Sequence, residues 1–164
     1  MGHHEWCELE LNLSFFLAKK ENGSMVLEIK NTIDDLKWEE IQEVYQSVGW
    51  NKHTIEIIQT VFKNSNEVCI IKTEGKIVGI GRALSDGVFN AAIYDIVVHR
   101  DFQKLGIAKE IIHYFIERFK NVSCVHLIST TGNEGFYEKM RFKKTKTGMA
   151  RYLNSSLSNE YLVD

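Results

Sequence analysis

A chain of 164 residues with a formal charge of −2 is the size of one domain and lacks the basic excess a nucleic-acid partner would call for. Its three cysteines, Cys7, Cys69 and Cys124, are odd in number and show no CxxC spacing, so reduced thiols in the cytoplasm are expected rather than a disulfide framework. No apolar run reaches the length of a membrane-spanning helix, which argues against a membrane role.

The N-terminal stretch carries two signals. MGHH, with GSM at 23 to 25, reads as an appended leader over residues 1–24, with Met25 as the start of a single domain, 25–164. CELELNLSFFL nevertheless alternates at Cys7, Leu9, Leu11, Leu13 and Phe15, so the leader can pair as an extra strand. VLEIK at 26–30 reads as a strand. Asp34 and Asp35 are placed to cap a helix that buries Leu36, Ile41, Val44, Tyr45 and Val48 and stops at Gly49. A second helix runs from Thr54 to Phe62. VCIIKT at 68–73 and KIVGIGRAL at 76–84 form a hairpin around Glu74-Gly75. Ser85-Asp86-Gly87 turns the chain into a long strand, VFNAAIYDIVV at 88–98. A helix from about Gly106 to Phe119 follows, with Ile107, Ala108, Ile111, Ile112, Phe115 and Phe119 inward. SCVHLIST at 123–130 is a strand, Asn133 to Met140 a short helix, and the tail from Phe142 to Tyr152 should hold one or two more strands.

Hairpin-linked strands are antiparallel, whereas strands flanking a crossover helix are parallel neighbours. The expected fold is therefore α/β, with a mixed sheet and helices on both faces.

The segment HRDFQKLGIAKEII, 99–112, joins the long strand to the helix. The first N–H groups of a helix have no acceptor within it, and the helix dipole makes that end positive, so a phosphate suits both. Gly106 and Ala108 leave room for such a ligand, Gln103 can donate from its amide, and Lys104 and Lys109 add positive charge. Neither GxxxxGK[ST] nor GxGxxG is present. By spacing alone, an ordinary strand-to-helix turn explains these residues equally well.

IVVHRDFQKLGIA resembles the signature of the GNAT acetyltransferase superfamily, a strand end followed by [RQ]-x-x-G-x-[GA]. Ile96 and Val98 fall on the strand positions, and Gln103, Gly106 and Ala108 on the signature positions. GFYEKMRF at 135–142 resembles the family's second signature, F-Y-x-K-x-G-F. The resemblance covers about residues 25–152. It implies a mostly antiparallel mixed sheet with a central, splayed parallel strand pair, and acetyl-CoA as co-substrate. Backbone N–H groups of Lys104, Leu105, Gly106, Ile107, Ala108 and Lys109 would cradle the pyrophosphate. Main-chain groups of Ile96, Val97 and Val98 would pair with the pantetheine arm as with an added strand. Arg100 stands where the family has proline. Arg141 stands where it has glycine, and a left-handed conformation there would cost arginine about 1 kcal/mol.

Acetyl transfer from a thioester needs a neutral amine, stabilisation of an oxyanion and a proton for the departing thiolate. The family pattern assigns that proton to Tyr137; without it, Tyr137 would read as a core aromatic. Tyr94, Asp95 and His99 lie near the strand end. Asp95 and His99 share parity with Ile93 and Val97, while Tyr94 faces the other way. Asp95 in an apolar strand must be paired or functional. Phe89, Tyr94 and Asp95 are the candidates for contact with the acceptor, and a closed pocket of Trp38, Tyr45, Trp50 and Phe89 would favour a small amine. Cys124 is expected in the core. His113 and His126 lie on separate elements and no HExxH occurs, so no metal site is expected. The lysines at 139, 143, 144 and 146 read as solvated surface or as a contact for a CoA phosphate. The resulting expectation is an N-acetyltransferase of small-molecule amines, working by direct transfer in a ternary complex, with a homodimer implied by the family resemblance alone. The alternatives are a protein or peptide acetyltransferase and a CoA-binding sensor without turnover.

Overall fold

The computed structural model describes residues 13–20 and 23–163. The alternating positions Cys7 to Leu11 and the histidines at 3 and 4 lie outside them. The chain divides into two compact units, one reaching Val125 and one beginning at His126.

The first unit is built on a sheet in which chain order is also spatial order: β1 (Leu13–Lys20), β2 (Gly23–Lys30), β3 (Glu67–Thr73), β4 (Lys76–Ser85), β5 (Asn90–Val98) and β6 (Cys124–His126). β1 to β5 pair antiparallel in succession. β6 joins beside β5, its entry fixed by Ser123 and Cys124 N–H groups donating to the Val88 and Phe89 carbonyls at 3.3 and 2.9 Å. Those bonds advance in the same direction along both segments, which is the parallel sense. The sheet is thus mixed and mostly antiparallel, and β5–β6 stands at its end. The Glu74-Gly75 turn has φ of 50° and 76°, the two left-handed positions that a tight hairpin requires.

Helices cover both faces. α1 (Trp38–Ser47) and α2 (Ile55–Lys63) lie on one. Ile41, Val44, Tyr45, Ile58 and Phe62 pack there with Ile70, Ile80 and Val97 of the sheet. Side chains alternate across a strand, so Gly79 and Gly81, flanking Ile80, look the other way. They lie beneath α3 (Ile107–Arg118). A Cβ on Gly81 would stand 2.7 Å from Ile111 Cγ2 and 2.8 Å from Phe115 Cε2, two fully buried side chains. Gly81→Ala is therefore expected to destabilise the protein by about 1–3 kcal/mol. Urea denaturation checks this, and an unchanged midpoint would show that α3 does not sit this close.

Several expectations differ from the structure. Asp34 and Asp35 do not cap α1. Asp35 takes φ 55° in a turn, and the N-cap falls on Lys37, which offers no side-chain bond. Thr54, by contrast, caps α2 by accepting the Ile57 N–H at 3.3 Å. β6 is three residues rather than eight, and Cys124, expected in the core, is exposed. It opens a short strand at the last position of the sheet, where little can cover it.

The second unit holds α4 (Glu134–Lys139) and α5 (Ser155–Tyr161). No strand forms over 142–152. Lys143, Lys144 and Lys146 are exposed there, and a run of charges with few apolar residues has no face to bury. Among the described residues no helix is long and apolar enough to cross a membrane. No group of three His, Cys, Asp or Glu side chains among them could hold a metal ion.

Candidate acetyl-transfer site

β5 carries the first feature. Its register against β4 slips by one: Ile80 faces Val97, but Arg82 faces Tyr94. The extra residue makes a bulge in β5, and Asp95 within it has φ 51°. A bulge resets side-chain direction, so the expected opposition of Tyr94 to Asp95 fails. Both reach the same guanidinium. Asp95 Oδ2 lies 2.5 Å from Arg82 Nε, and Arg82 Cζ sits 5.0 Å from the centroid of the Tyr94 ring. Arg82 Nη1 also donates to Ser65 Oγ at 3.3 Å. Asp95 is therefore paired, the condition its burial demands. Nearby, burial and then the Asp95 charge push the Tyr45 phenol above the usual tyrosine range.

Sequence reasoning passed over Arg82. The available signal was a cation inside the apolar run IVGIGRAL, across a hairpin from the equally isolated Asp95.

Beyond the bulge, one edge of β5 pairs with β4 through Val97 and Val98. On the other edge the bonds that enter β6 are made at Val88 and Phe89, and β6 has only three residues. No strand among the described residues pairs with the second half of that edge, including Ile96, Val97 and Val98.

The connection into α3 is the second feature. Lys104 and Gly106 both take left-handed angles, φ 64° and 87°. Gly106 is the N-cap of α3 and has no side chain to offer. The first bond into the helix is Glu110 N–H to Gly106 C=O at 3.2 Å, so the N–H groups of Ile107, Ala108 and Lys109 precede the intrahelical ladder. Nothing lies within 4 Å of a Cβ placed on Gly106. Its glycine therefore serves the backbone angle, with open space in front of it. Gln103 turns its amide inward, donating to Val98 C=O at 3.2 Å, and so staples the loop to the strand end. Leu105 is half-buried and Ile107 fully buried, anchoring the loop from beneath.

Tyr137 belongs to the second unit. It is half-buried on α4, edge-on to Phe136 at 5.1 Å and to Phe142 at 6.0 Å. Burial raises its pKa, so the phenol stays protonated past the ordinary tyrosine range. The helix ends in a Schellman motif: Phe142 N–H donates to Tyr137 C=O and Arg141 N–H to Glu138 C=O, each at 3.0 Å. Arg141 occupies the left-handed position, φ 67°. Arg141→Gly is expected to stabilise the fold by about 0.5–1 kcal/mol, a left-handed penalty of about 1–2 kcal/mol partly offset by glycine's larger chain entropy. Thermal unfolding reads the gain; a lower midpoint would contradict the assignment of strain.

Of the four aromatics whose closed pocket would favour a small amine, Trp38, Tyr45 and Trp50 pack with one core cluster, Tyr45 and Trp50 stacked at 5.8 Å, and Phe89 is not part of it. Trp38 packs edge-on against Phe62, 6.2 Å between centroids. Tyr45 and Trp50 stack with His53 at 4.5 and 5.5 Å. Phe89 is 64% exposed at the turn before β5.

In the first unit a mixed sheet leads from β5 into a helix start whose first N–H groups can hold an anion, and the second unit carries a phenol that burial keeps protonated. The acetyltransferase (GNAT) family matches residues 31–142, more than half the chain, and the protein belongs to it. It is similar to the "Uncharacterized N-acetyltransferase ycf52" of Pyropia yezoensis, 28% identical over 88% of this chain and 94% of that protein. It is also similar to "Serotonin N-acetyltransferase 2, chloroplastic" of Oryza sativa subsp. japonica, 30% identical over 62% of this chain and 54% of that one. Among solved structures, the GNAT family acetyltransferase SP0256 of Streptococcus pneumoniae TIGR4 matches with a TM-score of 0.65, at 28% identity over 78% of this chain and 98% of that chain.

Proposed function

We propose that this GNAT acetyltransferase moves the acetyl group of acetyl-CoA onto the primary amine of a small molecule. The observation that carries this reading is the unpaired edge of β5 running directly into the loop of left-handed residues that opens α3. The pantetheine amides need an extended strand edge to pair with, and the main chain of Ile96, Val97 and Val98 is proposed to supply it on the side away from β4, next to the Gln103 bond to Val98 C=O. The diphosphate needs convergent N–H donors, which the main chain from Lys104 to Lys109 offers, with Lys104 and Lys109 side chains adding charge. Gln103 acts by holding the loop to Val98.

In the reaction the amine nitrogen attacks the thioester carbonyl carbon. The carbon–sulfur bond breaks and the thiolate leaves. Tyr137 is the group proposed to give the thiolate its proton, and its raised pKa keeps that proton available at neutral pH. The proton of the attacking amine leaves through water. Tyr94 and Asp95 are proposed at the acceptor side, with Asp95 oriented by Arg82. Phe89, exposed before β5, is proposed at its rim. The similarity to a rice protein named as a serotonin N-acetyltransferase supports a small aromatic amine as acceptor. A reducing compartment such as the cytoplasm suits the unpaired thiols of Cys69 and Cys124.

Thiol release from acetyl-CoA, screened across arylalkylamines, aliphatic amines, amino sugars and peptides, tests the reading. Turnover with small amines is expected. Turnover with peptides alone would replace the acceptor class, and no thiol release with any amine would leave a binding module.

A further inference from the structure

We propose that His99, in its neutral form, is the positioning residue that shapes the entry to the diphosphate loop, so that affinity for CoA follows the protonation of this one imidazole. The inference rests on CoA lying at residues 104–109 and adds what sets the shape of that loop.

His99 is 7% exposed, buried where β5 ends. Its main chain ties two elements together. Its N–H donates to Val78 C=O at 2.8 Å, and its C=O accepts the Phe102 N–H at 2.9 Å. Its ring lies edge-on to Phe102 at 5.8 Å. The decisive contact is at Nδ1, which accepts the Asp101 N–H at 3.2 Å and so caps the single helical turn Arg100–Phe102. A nitrogen that accepts carries no proton, so the ring proton of the neutral form is on Nε2.

A second proton would convert Nδ1 from acceptor to donor, facing an N–H, and the cap would be lost. Charged groups stand around the ring. Glu43 of α1 is 3.6 Å from Nε2 and is itself bonded to Lys76 of β4 at 2.9 Å. The Asp101 carboxylate is 4.0 Å from Nδ1. Arg100 is exposed beside it, its N–H held by Ser47 Oγ at 3.1 Å. The imidazolium thus trades the Asp101 N–H for the Asp101 carboxylate. Because the capped turn leads through Gln103 straight to the left-handed Lys104, a turn rearranged by that exchange moves the loop's N–H donors.

His99→Asn is the discriminating variant, because asparagine accepts an N–H as a helix cap and does not titrate. Dissociation constants for CoA are measured by calorimetry from pH 5.5 to 8.5 on both proteins. The phosphates of CoA titrate alike in each, so the difference isolates the imidazole. At pH 8.5 the two constants are expected within about twofold; at pH 5.5 the wild type is expected to weaken about fivefold more than H99N, the scale of a lost cap. Without ligand, the Asp101 amide resonance is expected to follow a titration in the wild type. Parallel binding curves for the two proteins would overturn the proposal, and so would an Asp101 amide in the wild type that does not titrate, a result that needs no variant to fold. Failure of CoA to bind either protein at any pH would instead overturn the placement of CoA on which the proposal rests.

Discussion

Tyr137→Phe is expected to lower kcat for acetyl transfer by roughly 100-fold or more, the range for loss of a general acid, while leaving KM for acetyl-CoA nearly unchanged. Phenylalanine keeps the ring between Phe136 and Phe142, so the packing of α4 survives and only the proton donor is removed. The pH dependence has a fixed sign. Burial raises the Tyr137 pKa, so the acid form persists beyond the usual tyrosine value of about 10. The wild-type kcat should therefore show no fall on the alkaline side below that value. Steady-state kinetics on the best amine of the screen reads both effects. A variant with undiminished kcat would remove Tyr137 from the chemistry and leave thiolate protonation to solvent.

The second large effect is expected at Gly106. Gly106→Val should raise the dissociation constant for CoA by at least about tenfold, since a left-handed angle costs an ordinary residue about 1–2 kcal/mol and a β-branched one more. No neighbour approaches within 4 Å of the added Cβ, so the fold has no steric objection. The penalty falls on φ 87° itself, and the chain relieves it by changing the angle that presents the Ile107, Ala108 and Lys109 N–H groups. Gly106→Ala should show the same direction with a smaller size. Calorimetry with CoA, alongside a melting curve, separates lost binding from lost folding. Unchanged affinity in Gly106→Val would mean that those amides do not hold the diphosphate.

Much of this was legible because local signals agreed. Thr54 before an apolar 3.6-residue period marked α2, Glu74-Gly75 marked the hairpin, and the spacing from Gln103 to Ala108 marked the loop. The misses share a cause: they depend on where the chain meets itself. Nothing local in NAAIYDIVV announces that its register slips at Asp95, because a bulge is defined by the partner strand. Parity counting therefore separated Tyr94 from Asp95, which Arg82 joins. Cys124 looked internal because it falls on a predicted eight-residue strand, yet β6 ends after three residues at the sheet's last position. Ser47 holds the Arg100 N–H from 53 residues away, a contact without any periodic trace. Arg141 is the opposite case. Its departure from the second signature was visible in the sequence, and the strain inferred from it appears as φ 67°.

The placement of acetyl-CoA is tested most directly by a crystal structure of the full chain with CoA. The diphosphate is expected within hydrogen-bond distance of main-chain N–H groups between Lys104 and Lys109, with the pantetheine arm along the unpaired edge of β5 at Ile96 to Val98. CoA bound elsewhere, with those amides turned to solvent and that edge empty, would contradict it.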